Sequence, residues 1–202
     1  MGGSVLRIKI LFGYIIYSVL LLYYVRSKNR YLIDADMERW EKEIEVNFKT
    51  KLMLLIFLLM FRPQFRNLFY FRCPEILNVF RKICLAEKNL SIATDDNNIE
   101  GGGVFLEHAF STIIAAKSIG EGCTFRQLTT IGVKSRNRHD EKPVIGRNVD
   151  FGANVTCIGN ITIGDNAIIA AGSVVVKDVP ENAVVAGNPA KIIKFRNNKT
   201  IN

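Results

Sequence analysis

The chain has 202 residues, of which 27 are basic and 19 acidic, so its formal net charge is +8. At 49% hydrophobic and 23% charged it can build a core, which excludes an intrinsically disordered chain. Most of the excess charge lies in residues 1–90, with 15 Lys or Arg against 8 Asp or Glu, whereas residues 91–202 have 12 against 11. A basic, aliphatic-rich segment favours a membrane surface or another anionic partner over nucleic acid, because no basic and aromatic recognition motif accompanies it.

The cysteines and histidines are too few for several kinds of site. Four cysteines without a CxxC pair exclude a zinc ribbon and are too sparse for a disulfide-built fold, so a reducing, cytoplasmic compartment is expected. The only histidines are His108 and His139, which excludes a metal site made of three histidines of one chain. We therefore expect no bound metal.

The first apolar segment, residues 10–25, is a run of 16 residues without a charge, with basic residues on both sides. A membrane-spanning helix needs about 20 apolar residues, with about 17 at the lower limit. The run is expected to be a helix that either packs in an oligomer or makes contact with a membrane surface. Both alternatives stay open at this point.

The remainder of residues 1–90 is predicted to be mainly helical. The run from Leu52 to Phe61 is typical of a buried helix, since ten apolar residues are too few to span a membrane. Before it, an amphipathic helix is indicated by apolar residues at spacings of 4, 3 and 4, namely Ile33, Met37, Trp40 and Ile44. After it, two more apolar helical faces follow Pro63 and Pro74, and they contain Phe65, Leu68, Phe69, Ile76, Phe80 and Ile83.

From residue 113 onward the apolar period becomes six. The repeat has an apolar residue at Ile113, Ile119, Phe125 and Ile131, and after residues 133–144 at Ile145, Phe151, Cys157, Ile163, Ile169 and Val175. This period fits neither a helix nor simple strand alternation, but it fits short strands joined by tight corners in a solenoid. The pattern therefore predicts a helical region over 1–90, a β-solenoid over 91–195 and a short tail over 196–202.

The repeats resemble those of the hexapeptide acyltransferases. The segment from Ala171 to Phe195, with its GxPA turn, is similar to the last coil of that family. The resemblance implies an α+β chain in which the helical N-terminal region precedes a single-stranded left-handed parallel β-helix of about five coils. It also implies a homotrimer or a dimer of trimers, with active sites between neighbouring β-helices.

His108 lies in the sequence LEHAF, where the six-residue period is disturbed. LEHAF resembles the LDHA segment of the serine acetyltransferases, and FRNLFYFR (65–72) is similar to the helix that precedes their β-helix. The resemblance implies an acetyl-CoA-dependent O-acetyltransferase with His108 as the general base. Imidazole suits this chemistry because it can take the hydroxyl proton and return it to the leaving thiolate. The family orients this histidine with an aspartate, for which Asp95, Asp96 and a backbone carbonyl are the alternatives here.

The resemblance also implies residues that bind the acceptor. Glu107 stands where serine acetyltransferases have an acceptor-associated aspartate, and Arg138 and His139 are similar to their pair that holds the acceptor carboxylate. A further acidic residue of the family is missing, because residues 62–64 read RPQ.

Five other residues match family positions that bind coenzyme A. Ala153 and Ala171 match small residues along which the pantetheine arm runs. Lys177, Lys191 and Lys194 match basic positions near the phosphates of the cofactor.

L-serine is the expected small-molecule acceptor, as in cysteine biosynthesis. A sugar hydroxyl of a capsular or exopolysaccharide precursor is the alternative within acyl transfer, and a non-catalytic β-helical scaffold is the alternative of another class. Serine enzymes that dock cysteine synthase end in an isoleucine tail, whereas this sequence ends Thr200–Ile201–Asn202, so that partner stays open.

Overall fold

A computed structural model describes residues 17–73, 82, 84–95, 99–135 and 137–196. The chain divides into two compact units, Met1–Lys88 and Asn89–Asn202. The first unit is helical in its described part and the second is built from short strands. Each unit has its own core.

Four helices form the described part of the first unit: α1 (Ser18–Arg26), α2 (Arg30–Glu43), α3 (Lys51–Phe61) and α4 (Pro63–Arg72). The start of α3 is capped by the Thr50 hydroxyl, which accepts a hydrogen bond from the Met53 N–H. The start of α4 is fixed by Pro63, whose missing N–H is not needed in the first helical turn.

The predicted apolar faces of α2, α3 and α4 form the core of this unit. Ile33, Met37 and Trp40 are buried on α2, as the spacing predicts, whereas Ile44 lies beyond the helix end and is half-buried. Trp40 packs edge-on against Phe65 of α4, with ring centroids 5.4 Å apart. Leu54, Leu55, Ile56, Leu58 and Leu59 confirm the buried helix predicted over 52–61. The predicted face with Ile76, Phe80 and Ile83 lies outside the described residues.

One ion pair is buried in the same core. The Arg72 Nε donates to Asp36 Oδ2 at 3.0 Å, and both side chains are only 2% exposed. The pair joins α2 to α4. Burying a charge is costly unless it is paired, so replacing one partner alone would destabilise the unit.

Among the described residues, no single helix is long and apolar enough to cross a membrane. Helices α3 and α4 together have the length and composition of a membrane span, but the chain bends by 115° between them. Of the run predicted over 10–25, residues 10–16 lie outside the described residues and the rest belong mainly to α1.

The described residues of the second unit form fourteen strands, most of them two or three residues long: β1 (Leu90–Thr94), β2 (Phe105–Glu107), β3 (Thr112–Ala116), β4 (Ser118–Ile119), β5 (Thr124–Arg126), β6 (Thr130–Gly132), β7 (Val144–Ile145), β8 (Asp150–Phe151), β9 (Thr156–Ile158), β10 (Thr162–Ile163), β11 (Ile168–Ile169), β12 (Val174–Val175), β13 (Ala183–Gly187) and β14 (Ala190–Phe195). They pair in three sheets. Sheet A has the order β1-β3-β6-β9-β12, sheet B the order β10-β7-β4, and sheet C the order β14-β13-β11-β8-β5-β2.

Successive strands pass from sheet C to A to B and back, so the chain winds as a parallel β-solenoid of about five turns. This confirms the predicted left-handed β-helix after a helical N-terminal region. The regular coils have the predicted length, because Phe151 pairs with Ile169 and Cys157 with Val175, each 18 positions later. The apolar ladder fills the interior, and Phe125 stacks on Phe151 with ring centroids 5.1 Å apart.

The predicted phase is wrong at its first position. Ile113 is 51% exposed, and it is Ile114, 1% exposed, that stacks inside the coil on Ile131. The physical reason is a shorter corner between β3 and β4: only five positions, instead of six, separate Ile114 from the next inward-facing residue, Ile119, which shifts the phase by one residue.

Candidate active site

Two edges of the solenoid carry the predicted site residues. The His108 edge consists of the corners that join sheet C to sheet A, at residues 108–111, 127–129, 152–155 and 170–173. The loop edge consists of the corners that join sheet A to sheet B, and its largest member is the loop 133–143.

His108 lies in a corner that is longer than its counterparts. Eight positions separate the inward-facing Leu106 from Ile114, against six between Phe125 and Ile131 in the next coil. The regular corners contain one residue with a left-handed backbone, whereas this one contains two, His108 with φ 49° and Ser111 with φ 48°. The two additional residues move His108 out of the six-residue pattern and leave it exposed to solvent.

The imidazole of His108 has no hydrogen-bond partner among the described residues. Its backbone carbonyl accepts from the Phe110 N–H at 2.7 Å, which holds the turn but not the ring. Asp95 instead forms an ion pair with Lys142 at the loop edge, and Asp96 lies outside the described residues. Within one chain the structure does not bring Asp95 to His108, and the orienting role of either aspartate stays a prediction.

Ala153 and Ala171 lie in successive corners of the same edge as His108. Neither backbone N–H donates to another described residue, while the Ala153 carbonyl accepts from the Gly172 N–H at 2.9 Å. A Cβ added at Gly172 would meet nothing within 4 Å, so the surface there is open. Small side chains and free N–H groups give an extended ligand access to the backbone, which fits a pantetheine arm.

The three predicted lysines are exposed but do not share one place. Lys177 follows β12 at the loop edge, whereas Lys191 and Lys194 lie in β14 of sheet C. Of these, Lys191 and Lys194 are on one strand and present two positive charges within four residues. Their role at the cofactor phosphates stays a prediction.

Arg138 and His139 lie in the loop 133–143 and are exposed. Arg138 Nη1 pairs with Glu141 Oε1 at 3.2 Å within the same loop. In one chain these two residues are therefore on a different edge of the solenoid from His108. They could meet His108 only through a second copy of the chain, so their role at the acceptor also stays a prediction.

Sequence reasoning missed a charged cluster beside His108. Glu107, the last residue of β2, accepts a hydrogen bond from Arg126 at 2.6 Å between Oε2 and Nε. Arg126 also donates through Nη1 to Asp150 and to the Phe151 carbonyl, the latter at 3.3 Å. Burial opposes the charge on Arg126, but the hydrogen bonds and charges of Asp150 and Glu107 outweigh it and raise the pKa of the guanidinium. These residues come from three successive coils. The cluster could have been predicted from the sequence only if the length of each coil had been known.

The cysteines of the solenoid do not provide a nucleophile. Burial raises the pKa of the Cys157 thiol to about 12, so the reactive thiolate is scarce near neutral pH. Cys123 is buried and its Sγ lies 3.2 Å from the Gly146 carbonyl oxygen. In the described ranges no group of three or more His, Cys, Asp or Glu residues is arranged to hold a metal ion.

Comparison with known proteins gives the same picture. No family model matches the chain. It is 44% identical to Serine acetyltransferase 2 of Arabidopsis thaliana over 95 residues, which are 46% of this chain and 29% of that protein. It is 37% identical to the serine acetyltransferase of Synechococcus elongatus over 94 residues, 46% of this chain and 38% of that protein. The chain thus spans well under half of the length of these relatives.

Solved structures extend the similarity over more of the chain. The serine acetyltransferase of Vibrio cholerae superposes with a TM-score of 0.67 at 21% identity, covering 87% of this chain and 69% of that one. The Neisseria gonorrhoeae enzyme in complex with serine gives a TM-score of 0.64 at 25% identity, covering 88% and 74%.

The six-residue ladder, the 18-residue coils and the three parallel sheets define a hexapeptide-repeat protein with a left-handed β-helix. Within that class, the chain is serine acetyltransferase-like in both sequence and fold. This confirms the resemblance inferred from LEHAF and the repeats.

Proposed function

We propose that the protein transfers the acetyl group of acetyl-CoA to the side-chain hydroxyl of L-serine. The observation that carries the proposal is the His108 edge. His108 stands there in an extended corner, on the same edge as Ala153 and Ala171, and neither its imidazole nor their N–H groups have a hydrogen-bond partner among the residues that the structure describes. The similarity to serine acetyltransferases, one of them solved in complex with serine, supports the choice of donor and acceptor.

In the proposed reaction His108 is the general base. Its imidazole takes the proton of the serine hydroxyl, and the oxygen attacks the carbonyl carbon of the thioester. The carbon–sulfur bond then breaks, and the imidazolium returns the proton to the departing thiolate. The products are O-acetylserine and free coenzyme A, and no acyl-enzyme forms. An exposed imidazole with no hydrogen-bond partner in the described part of the chain is free to make both proton transfers.

We place the donor along the His108 edge, where the free N–H groups of Ala153 and Ala171 can bind the amide carbonyls of the pantetheine arm. The phosphates carry negative charge, which Lys191 and Lys194 on β14 would offset, with Lys177 contributing from the loop edge. No metal takes part in this proposal.

The active unit is proposed to be a homotrimer or a dimer of trimers. Support comes from the separation of His108 and the Arg138–His139 pair on different edges of one chain, because only another copy could complete a site that uses both. The division into a helical region 1–90, a β-helix 91–195 and a tail 196–202 stays part of the proposal. So do a cytoplasmic location, where acetyl-CoA is made available, and a membrane-surface contact through residues 10–25. A cysteine synthase partner stays open.

The test is thiol release from acetyl-CoA by the full chain with L-serine, followed by a panel of sugars. His108→Ala should lower kcat/KM for serine by at least about 100-fold, because general-base catalysis contributes about 10²–10⁴. Binding of coenzyme A, measured by calorimetry, should be unchanged. Acetylation of sugars with no turnover of serine would show that the acceptor is a sugar hydroxyl. Absence of thiol release with every acceptor would favour a non-catalytic β-helical scaffold.

A further inference from the structure

We propose that the surface where α1 meets α2 binds a membrane that contains anionic phospholipids. This surface, the α1–α2 corner, consists of residues 22–31, from the outward face of α1 to the first turn of α2. The proposal rests on the membrane-surface contact of the proposed function. It adds the residues that make the contact and the class of lipid that they bind.

The outward face of α1 is apolar, although it is exposed to solvent. Leu20 and Tyr24 form the inward face of the helix and are buried. Leu22 and Val25 lie on the opposite side and are 57% and 50% exposed, and Tyr31 in the first turn of α2 is 69% exposed. The outward face of a surface helix is ordinarily polar. A cluster of exposed apolar side chains therefore indicates a partner that the described part of the chain does not supply.

The charged side chains of the α1–α2 corner are all basic. Arg26, Lys28 and Arg30 are exposed, and no acidic residue precedes Asp34 in the sequence. Asp34 is itself paired with Lys51, whose Nζ lies 3.1 Å from Oδ2. Arg26 and Lys28 form no ion pair with a described residue. Unpaired positive charges beside exposed apolar side chains are complementary to an anionic membrane surface.

A second copy of the chain is the alternative partner for this surface. In a two-fold symmetric interface the same surface of both copies meets, so Arg26 and Lys28 would face the same charges of the other copy. Burying charges without a partner is costly. A membrane accepts the apolar side chains in its interfacial layer while the basic groups stay among the anionic headgroups. The sequence before α1 favours the same partner, because it contains Arg7 and Lys9 and no acidic residue.

The experiment measures how much full-length protein sediments with vesicles. One set of vesicles contains phosphatidylcholine alone, and the other contains equal parts of phosphatidylcholine and phosphatidylglycerol. One basic residue near an anionic surface strengthens binding about fivefold. For the three basic residues of the corner, we expect binding to the mixed vesicles to be about 100-fold tighter than to the neutral ones. Binding to the mixed vesicles should weaken as salt is raised, because salt screens the charges.

Two double variants test the two parts of the surface. Arg26→Gln with Lys28→Gln should weaken binding to the mixed vesicles about 25-fold. Arg30 is left in place, because its guanidinium lies 5.1 Å from the centroid of the Tyr24 ring and its replacement would disturb the core. A second variant, in which Leu22 and Val25 are both replaced by Ser, should weaken binding at least about tenfold through the loss of apolar burial.

Lys42→Gln with Lys49→Gln is the matched control. Both lysines are exposed, so this variant loses the same net charge as the basic double variant. Lys42 lies 12 residues after Arg30 on α2, which is about 18 Å along the helix. Because this distance exceeds the screening length of about 8 Å in physiological salt, vesicle binding should change less than about threefold.

Equal binding of the unmodified protein to neutral and mixed vesicles would overturn the inference, and so would no binding to either. An equal loss in the control variant would also overturn it, because net charge and not the α1–α2 corner would then govern binding. Dissociation of oligomers by the two Ser substitutions, seen by light scattering without a loss of vesicle binding, would assign the surface to a second copy.

These outcomes are distinguishable from failure of the proposed function. Sedimentation with vesicles requires no acetyl transfer, so vesicle binding by a protein that does not acetylate serine would refute the reaction and leave the membrane contact in place. If both proposals hold, every variant should keep the kcat/KM for serine and the circular dichroism spectrum of the unmodified protein.

Discussion

The close approach of two coils at the His108 edge makes Gly152→Ala a sharp test of the structure. A Cβ at this position would lie 2.6 Å from the Ala171 nitrogen and 2.9 Å from its Cα. Ordinary contact begins near 3.4 Å, so the coils must separate by about 0.8 Å, and the obstacle is backbone rather than a flexible side chain. That shift would stretch the hydrogen bond from the Gly152 N–H to the Ile169 carbonyl, 2.8 Å long, beyond its useful range.

The expected cost combines two effects. Overpacking a tight site costs about 1–3 kcal/mol, and losing a buried backbone hydrogen bond adds about 1 kcal/mol. We therefore expect Gly152→Ala to lower the free energy of unfolding by about 2–4 kcal/mol. The KM for acetyl-CoA should rise as well, because the neighbouring N–H groups of Ala153 and Ala171 would move apart.

Gly132→Ala is the matched control in this experiment. Its added Cβ would meet only the Ala115 Cβ at 3.9 Å, an ordinary contact, so stability should stay within about 1 kcal/mol of the unmodified protein. The assay is urea unfolding followed by far-UV circular dichroism, together with initial rates at varied acetyl-CoA. Equal unfolding midpoints for Gly152→Ala and the unmodified protein would refute the argument that backbone atoms limit this corner.

Two further perturbations address the helical core and the cofactor phosphates. Arg72→Met removes the charge that pairs with the buried Asp36 carboxylate and should cost about 3–5 kcal/mol in urea unfolding. Lys51→Met removes an exposed pair and should cost under about 1 kcal/mol, so similar costs for the two variants would contradict the buried-pair reasoning. Lys191→Glu combined with Lys194→Glu should raise the KM for acetyl-CoA more than it changes kcat in steady-state assays, and an unchanged KM would mean that both lysines are surface charges.

The sequence predicts the β-helix well because its period is enforced by burial. Nearly every sixth residue must fill the interior of a coil, so the ladder from Ile119 to Val175 is visible without a structure. The prediction fails at Ile113 because only five positions separate the inward-facing Ile114 from Ile119, so the corner between β3 and β4 is one residue short. A six-residue count cannot detect a change in the length of a corner, since the corner residues carry no periodic signal of their own.

The site was only partly predictable for a related reason. His108 stands out because histidine is rare in this chain and because its neighbours form a short motif. Arg126 stands at an outward position that the repeat leaves unspecified, and its partners lie 19 positions earlier and 24 later. Residues at those separations are recognised as neighbours only when the coil lengths are known. The eight-residue insertion in the loop 133–143 also hides the separation of Arg126 from Asp150.

The end of sheet C has a consequence for the behaviour of the protein at high concentration. A solenoid of parallel strands exposes unpaired backbone groups at its last coil, where another molecule could add a strand and start a fibre. Here β14 turns back antiparallel onto β13, with a register shift between Val184 and Val185, and carries Lys191 and Lys194. Charges and irregular pairing on a terminal strand oppose strand addition. The hairpin therefore acts as a stop to end-to-end polymerisation.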